Sequence, residues 1–523
     1  MTYQIFSENE WIYPDSVITQ ENEANLYCAR NADTCFQLLT DKMLAGGESI
    51  KIGTEDLNAQ VTVYQLLPAH VEENSDAKIF TTLDYESVKH FVTRQAPFDV
   101  YEITRPVDNG ILTEGRAAFF IRFDIDKDAQ PGMHQGKLHV WINGEKLTVS
   151  VNLKIYETQI PDRSQAAFHM NNWLYYDIVA KQHGMTRESD SYDQLLRGYF
   201  ENLLDMRNDY LMIPAGDPVR DSDGLVVDFD FSHAEDVGNL ALECGFKFIL
   251  GGFVARFEAW DDPDQLLLWD RQVGASTIEG YRQLKLYFTR AWECVVKNGW
   301  QKQYMQCLVD EPQFPNSLSY RALAGICRSC MPGVKINDPV ETTEVGGAID
   351  VWVVKQAIFE KYLDTYQKLQ KMGEEMWIYT CGFPGGATMN RIIDLPLTVS
   401  RLPMWLCYHY ECPGFLHWGY HQHNPEFEKE TCFKCDDIHR YPPGNSFVVY
   451  PAADGSLKPW YGVRGHIQRQ GALDCEMFML LEKKVSRETA DELVLKVCRT
   501  FDDYDTSAQL LDEVRHELLE MLG

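Results

Sequence analysis

The strongest constraint on the fold is an alternation of short apolar runs with amphipathic segments between residues 161 and 420. Helical periodicity fills the intervals between the runs, as at residues 192–206, 234–244 and 278–298. Runs of strand length lie at residues 166–172, 210–213, 246–251, 304–309, 334–336, 350–353 and 375–379. For an eighth strand, residues 415–420 and 447–450 compete. Such an alternation indicates βαβ units and a parallel sheet.

Eight such units within roughly 300 residues predict an α/β fold of the (β/α)₈ TIM-barrel type. A doubly wound open sheet is the structural alternative. Before the barrel, residues 61–67, 117–125, 137–142 and 147–155 alternate and are rich in β-branched and aromatic side chains. Asn143-Gly144 between the last two predicts a type I′ hairpin turn. We therefore predict an N-terminal β-sandwich accessory domain (1–160), a catalytic barrel (161–482) and a C-terminal helical segment packed on the barrel (483–523).

The net charge and the cysteine content indicate which binding partners are disfavoured and which cellular compartment is expected. Acidic side chains outnumber basic ones by 78 to 48, a net charge of −30, which argues against nucleic acid and anionic membranes as partners. No apolar run approaches transmembrane length. The first residues show no basic and apolar signal pattern, and the 14 cysteines are scattered. We therefore expect a cytoplasmic protein with reduced thiols and no membrane insertion.

The segment YMQCLVDEP, residues 304–312, joins a continuous apolar run to two adjacent carboxylates, Asp310 and Glu311. A continuous run is typical of a strand that is buried on both faces. Pro312 cannot donate a ladder hydrogen bond, so the strand is predicted to end at the acidic pair. Barrel enzymes carry their catalytic groups at the carboxyl ends of their strands. Asp310 and Glu311 are therefore the candidate catalytic residues; a merely polar strand exit is the alternative.

Two carboxylates are the minimal equipment for cleaving a glycosidic bond. In ordinary retaining or inverting enzymes they stand about 5 to 9 Å apart across that bond. Neighbours on a strand point in different directions, so an adjacent pair rarely straddles one bond. The pair suits substrate-assisted catalysis better, in which the 2-acetamido oxygen of the sugar is the nucleophile. There the second carboxylate is the acid/base, and the first steadies the acetamido nitrogen.

An ordered set of segments resembles glycoside hydrolase family 123 over about residues 119–481. The set comprises DAQPGMHQGKLHV, LVDEP at the fourth strand, IDVWVVKQ, EEMWIYTCGFP and VRGHIQRQGALDCEMFMLL. The resemblance implies activity on β-linked N-acetylgalactosamine, with Glu311 as general acid/base and Asp310 orienting the acetamido group. The chain departs from the family beside Asp474, where relatives carry tyrosines at the positions of Cys475 and Met477.

Residues at the ends of predicted strands complete the candidate site. The amides of Asn171 and Asn337 and the imidazole of His169 suit hydrogen bonds to sugar hydroxyls. The Tyr379 hydroxyl suits the acetamido oxygen, and Trp418 suits stacking on a sugar face. Asn172, Asp338, Lys355 and Cys381 lie at the same strand ends. For His169 and the tryptophans, an ordinary place in the core is the alternative. We predict substrate contacts for His169, Asn171, Asn337, Trp352, Tyr379 and Trp418.

A stretch rich in cysteine and histidine, residues 407–439, raises the question of zinc. It contains one C-x-x-C motif, Cys432 to Cys435, without a second pair at the spacing that paired zinc motifs need. The stretch is interpreted as a long barrel loop, and we predict neither a metal nor a cofactor.

The predicted function is a retaining exo-β-N-acetylgalactosaminidase that acts on an oligosaccharide or glycoconjugate. One alternative is a barrel glycosidase for a sugar without an acetamido group, using Glu311 with a distant partner such as Asp338. Another is a non-catalytic carbohydrate-binding protein. The sequence does not name the aglycone and leaves a homo-oligomer open.

Overall fold

The computed structural model describes residues 1–19, 21, 23–107, 109–259, 262–269, 272–427 and 429–523. The chain divides into two units. One comprises His169–Thr380 and Glu411–Trp418; the other comprises Met1–Phe168, Cys381–Tyr410 and Gly419–Gly523. The two units are groups of residues that contact one another, and such contacts do not show which segments fold independently. The predicted domain boundaries therefore stay a prediction.

The first unit is built on eight parallel strands. In the order in which they lie side by side, the strands are His169–Asn172, Gly414–His417, Glu375–Thr380, Val351–Lys355, Lys335–Val340, Tyr304–Gln306, Phe248–Gly251 and Tyr210–Met212. From the second strand to the eighth, each strand therefore neighbours the next one in the sequence, and the eighth lies beside the first; the first and second strands form the two edges. Between the first and second strands, the Asp209 N–H donates to the Met170 carbonyl at 3.2 Å. The predicted (β/α)₈ barrel is confirmed, nearly closed, and its eighth strand is Gly414–His417.

Helices follow the barrel strands at the predicted places. Thr277 caps the longest of them by accepting a hydrogen bond from the Gly280 N–H at 3.0 Å. The helices of this unit are Tyr176–Gln182, Tyr192–Asp205, Ser232–Cys244, Ile278–Lys297, Ser317–Cys330, Gln356–Lys361 and Leu363–Lys371. Two hairpins are inserted after the second and third strands, Asp217–Arg220 with Val226–Asp230 and Ala255–Ala259 with Asp262–Leu268.

Aromatic side chains fill the barrel near the amino ends of its strands. Trp377 stacks on His169 with ring centroids 5.6 Å apart and meets Tyr210 edge-on at 4.7 Å. Gly414 lies level with His169, and a Cβ atom there would clash with the Trp377 ring. Glycine at this position therefore makes room for the tryptophan, and the register fixes which side chains face the interior.

The second unit is β-rich in its N-terminal part, as predicted. Asn143 and Gly144 have φ of +48° and +83° and join two strands in a two-residue hairpin. A four-stranded sheet has the order Ala24–Arg30, Glu145–Gln159, Gly132–Ile142 and Ile50–Glu55. A seven-stranded sheet has the order Tyr3–Ser7, Ala32–Leu44, Gly115–Ile125, Gln60–Val71, Phe98–Pro106, Trp460–Gly462 and Val449–Tyr450. Residues 447–450 are thus not the eighth barrel strand, because Val449–Tyr450 pairs within this sheet.

Helices of the second unit pack on these sheets. Val463 and Ile467 belong to one core cluster with Leu39, Leu66 and Phe120 of the seven-stranded sheet. The helices are Tyr85–Val88, Leu402–His409, Val463–Lys484, Arg487–Val497 and Ala508–Leu522. The last of them lies against the four-stranded sheet, where His516 stacks on Tyr27 with ring centroids 3.7 Å apart. Within the described residues, no helix is long and apolar enough to span a bilayer.

Candidate active site

The acidic pair lies in a loop at the carboxyl end of the fourth barrel strand. The strand ends at Gln306, earlier than the predicted end at the pair. The Leu308 N–H donates to both carboxylate oxygens of Asp338, at 2.8 and 3.1 Å. A side chain of the fifth strand thus takes the place of a ladder partner, and the chain is free to turn towards Asp310 and Glu311.

Backbone hydrogen bonds hold this loop to the fifth strand. The Glu311 N–H donates to the Pro339 carbonyl at 3.1 Å, and the Glu341 N–H donates to the Pro312 carbonyl at 3.0 Å. Glu311 itself has φ of +55°, a left-handed conformation that costs a side-chain-bearing residue about 1–2 kcal/mol. Such conformations persist where the surrounding structure fixes them, and they cluster at functional sites.

The Glu311 side chain is held by two donors from the next two strands. Tyr379 donates its hydroxyl hydrogen to Glu311 Oε1, and Lys355 Nζ lies 3.1 Å from the same oxygen. Only 13% of the Glu311 side chain is exposed. Lys355 also forms an ion pair with Glu341, so two carboxylates share one ammonium group.

Asp310 stands beside this arrangement without a donor of its own. Its side chain is half-buried, and no hydrogen bond to its carboxyl is found among the described residues. Burial, reinforced by the charge of Glu311, raises the pKa of Asp310 well above its usual range, although Lys355 opposes the shift. Burial and Glu311 also raise the pKa of Glu341. We call Asp310, Glu311 and Glu341 the carboxyl cluster; its members Asp310 and Glu341 bind protons more strongly than solvated carboxyls do.

Three of the predicted substrate-binding residues lie near this carboxyl end. Asn171 and Tyr379 both pair with Leu416, so they form one layer of the barrel interior. Asn171 is fully buried, and neither atom of its amide has a hydrogen-bond partner within the described part of the chain. Trp418 is half-buried directly after the eighth strand. These positions suit contacts with a sugar in the barrel mouth.

The other three predicted substrate-binding residues lie elsewhere. His169 is the first residue of its strand, which starts three residues later than predicted, and its Nδ1 lies 2.7 Å from Asp209. Trp352 points to the helix layer, where its indole N–H donates to Glu374 at 3.0 Å and its ring meets Tyr366.

Asn337 pairs with Val351, the first residue of the sixth strand, and so lies towards the amino ends. The hydrogen bonds found for His169 and Trp352 join them to Asp209 and Glu374 rather than to the acidic pair, and substrate contacts by His169, Asn337 and Trp352 stay a prediction.

Glu341 is the site residue that the sequence left out. The fifth strand was predicted to end at Ile336, but it continues to Val340. Asp310 and Glu311 were chosen because they follow the carboxyl end of a predicted strand. A correct end for the fifth strand would have added Glu341 on the same ground. The strand continues through Asn337 and Asp338 because both residues pair with the sixth strand, Asn337 with Val351 and Asp338 with Trp352.

Within the described residues, the Asp338 carboxylate forms no hydrogen bond with the acidic pair. It is fully buried, and it accepts hydrogen bonds from the Tyr320 hydroxyl at 2.7 Å and from the Leu308 N–H. Burial raises the pKa of Asp338 well above its usual range, against the effect of these donors. Its role is to hold the fourth strand, which removes the partner named in the non-acetamido alternative.

The cysteine- and histidine-rich stretch is not one loop. It includes the end of the helix Leu402–His409 and the eighth barrel strand, while Cys432 is buried and Cys435 is exposed. Over the residues that the structure describes, no group of three or more His, Cys, Asp or Glu side chains is placed to hold a metal ion.

Comparison with known proteins identifies the family. The model of the glycoside hydrolase 123 catalytic domain matches residues 173–481. A family 123 glycoside hydrolase from Clostridium perfringens, studied for glycolipid glycan hydrolysis, superposes with a TM-score of 0.77 at 14% identity, over 100% of this chain and 97% of that one. An endo-β-1,4-mannanase from Thermotoga petrophila gives a TM-score of 0.37 at 12% identity, over 60% of this chain and 77% of that one.

No curated protein matches the sequence. The structural similarity to the Clostridium enzyme shows the fold. The family model covers more than half of the chain and shows the family to which it belongs. The chain belongs to glycoside hydrolase family 123 and is a glycosidase.

Proposed function

We propose that this glycosidase is a retaining exo-β-N-acetylgalactosaminidase that uses the acetamido group of its substrate as the nucleophile. The observation that carries the proposal is the contrast within the acidic pair. The Glu311 carboxylate is fixed by Tyr379 and Lys355, whereas the adjacent Asp310 carboxyl has no protein partner among the described residues. One group is therefore oriented for proton transfer, and the other is left for a ligand.

Each carboxyl has one task in this mechanism. Asp310 accepts the acetamido N–H, which turns the acetamido oxygen towards the anomeric carbon. That oxygen bonds to the carbon as the glycosidic bond breaks, and Glu311 gives its proton to the leaving oxygen. Glu311 then takes a proton from water as the water attacks the anomeric carbon and opens the cyclic oxazolinium intermediate, whose nitrogen has kept its hydrogen. Two displacements at one carbon retain its configuration.

The remaining sugar contacts come from the barrel mouth. The unpaired amide of Asn171 offers both a donor and an acceptor to a hydroxyl group, because a buried amide without partners is costly unless a ligand satisfies it. Trp418 offers an aromatic face for the apolar side of the ring. The substrate we propose is the glycan part of a glycoconjugate, the class on which the Clostridium enzyme acts according to its description.

The test is hydrolysis of 4-nitrophenyl β-N-acetylgalactosaminide by the wild type, Asp310→Asn and Glu311→Gln. The N-acetylglucosaminide and the 2-hydroxy β-galactoside serve as comparison substrates. We expect cleavage of the galactosaminide, release of the β-anomer as the first product by NMR, and losses of about 10²–10⁴-fold in each variant. Glu344→Gln, on an exposed carboxyl whose one hydrogen bond among the described residues comes from Ser317 at 3.2 Å, should keep full activity.

A thiazoline analogue of the oxazoline intermediate separates the mechanisms. It should inhibit the wild type strongly, because it resembles the intermediate that acetamido assistance forms. Cleavage of the 2-hydroxy galactoside with no inhibition by the thiazoline would instead establish an enzyme for sugars that lack the acetamido group. A folded protein that cleaves none of these substrates would refute the proposed specificity.

A further inference from the structure

Glu341 is the one member of the carboxyl cluster that the proposed mechanism does not use. It follows the fifth strand directly, and its backbone N–H closes the acidic loop by donating to the Pro312 carbonyl at 3.0 Å. Its carboxylate forms an ion pair with Lys355, whose ammonium group lies 3.1 Å from Glu311. The side chain is therefore in contact with the cation that orients the proposed acid/base.

The charge balance at this place is uneven. Three carboxyls, those of Asp310, Glu311 and Glu341, lie around the single ammonium group of Lys355. Among the described residues, Tyr366 also lies near Glu341: burial raises the pKa of its hydroxyl, and the charges of Tyr362 and Glu341 add to the shift. Three neighbouring negative charges against one positive charge favour retention of a proton by the cluster.

We propose that Glu341 is a positioning residue for the reaction. By sharing the ammonium group of Lys355 with Glu311, it holds the acid/base carboxyl in place and keeps a proton within the cluster at the pH where the enzyme works. The inference rests on the roles proposed above for Asp310 and Glu311. It adds a source for the proton that the acid/base needs, because burial and neighbouring charge raise the pKa of Asp310 and of Glu341.

Two substitutions should move the pH dependence in opposite directions. Glu341→Gln removes one of the negative charges that raise the pKa of Asp310, so Lys355 opposes the shift more effectively and Asp310 loses its proton at lower pH. The basic limb of the profile of kcat/KM against pH should then move down by about one pH unit, a tenfold loss of activity one unit above the wild-type limb. Lys355→Met removes the cation, so its basic limb should move up.

Matched variants separate this effect from a general loss of structure. Glu344→Gln makes the same change three residues further along, on an exposed side chain, and should leave the profile unchanged. Glu341→Asp keeps the charge and should restore the wild-type limb. A Glu341→Gln profile that coincides with that of the wild type, or that is lowered by the same factor at every pH, would overturn the inference.

A second readout does not depend on turnover. In protein labelled with ¹³C at the glutamate and aspartate carboxyls, the cluster resonances should titrate about one pH unit lower in Glu341→Gln than in the wild type. An unchanged titration would overturn the role of Glu341 even if the wild type is active. A shifted titration in an enzyme that cleaves no acetamido sugar would uphold the proton balance and refute only the proposed substrate.

Discussion

At the scale of single residues, the acidic pair is held in an energetically unfavourable state. Asp310 is half-buried with no donor to its carboxyl among the described residues, and Glu311 has a left-handed backbone. Burying a charge without a partner is costly, and the carboxyl avoids part of that cost by keeping its proton. Both features oppose folding and favour binding of a ligand that supplies the missing contacts. The site is thus a place where stability has been exchanged for function.

This balance predicts that Asp310→Asn stabilises the folded protein. Since burial and Glu311 raise the pKa of Asp310, the folded protein holds this proton more tightly than the unfolded chain does. Raising the pH above the unfolded pKa, about 4, therefore costs the wild type up to about 1.4 kcal/mol per pH unit, until the folded pKa is passed. The variant lacks the group and escapes this loss.

Urea unfolding of both proteins between pH 4 and 8 measures the difference. The free energy of unfolding of Asp310→Asn should exceed that of the wild type by a margin that grows with pH. Asp223→Asn removes an exposed carboxyl in a hairpin turn and is the control for the loss of a carboxyl as such. A margin that shrinks as the pH rises would mean that Asp310 is stabilised in its charged form.

At the scale of elements, the sequence predicted which segments are strands better than where each strand ends. The apolar runs identified all eight barrel strands, with two candidates for the last. The ends depend on partners that are distant in the sequence. The fifth strand continues through Asn337, Asp338 and Pro339 because these residues pair with the sixth strand, while the Asp338 carboxylate satisfies the N–H of Leu308 in the loop after the fourth strand. Shifts of three residues at the start of the first strand and four at the end of the fifth changed where the predicted site residues lie.

Asp338→Asn should destabilise the protein and weaken catalysis together. The carboxylate accepts hydrogen bonds from Leu308, Val309 and Tyr320, whereas a carboxamide has one acceptor oxygen and an NH₂ group that would face a donor. An unsatisfied buried donor costs about 1–3 kcal/mol, so the free energy of unfolding should fall by that amount. Activity should fall as well, because the loop that carries Asp310 and Glu311 is no longer fixed.

Denaturant unfolding measures the loss of stability, and kcat/KM, measured where essentially all of each protein is folded, measures the loss of activity. Tyr320→Phe removes one donor only and should cost less stability. Asp350→Asn is the matched control, because Asp350 accepts from the Ile336 N–H at 2.8 Å near the other end of the same strand. It should lower stability without lowering activity. Full activity in a destabilised Asp338→Asn would show that the loop keeps its place without this carboxylate.

At the scale of the whole molecule, one segment that carried the family resemblance turns out to serve packing. The helix Val463–Lys484 belongs to the unit that contains the β-sheets. Gly471 lets it approach the backbone of Arg401, and Glu476 accepts from the Phe168 N–H at 2.8 Å. The departure from the family at Cys475 and Met477 therefore falls among buried contacts of a helix, a placement that periodicity alone could not show.

Asp474 connects distant parts of the chain within this unit. Its fully buried carboxylate accepts from Arg401 at 2.5 and 2.9 Å, from the Trp405 indole at 2.9 Å and from Arg515 at 3.1 Å. Arg401 also pairs with Glu8 at 2.8 Å. Residues near both ends of the chain are thus joined by one buried ion network whose charges are nearly balanced.

Asp474→Asn should therefore destabilise the protein by about 3–5 kcal/mol, because it leaves two buried guanidinium groups with Glu8 as the remaining carboxylate of the network. Glu517→Gln breaks the exposed ion pair with Lys496, 2.6 Å long, and should cost less than about 1 kcal/mol. Urea unfolding compares the two, and activity per folded molecule should stay at the wild-type level in both, since neither side chain belongs to the catalytic site. A loss below 1 kcal/mol for Asp474→Asn would mean that water or neighbouring groups compensate the arginines.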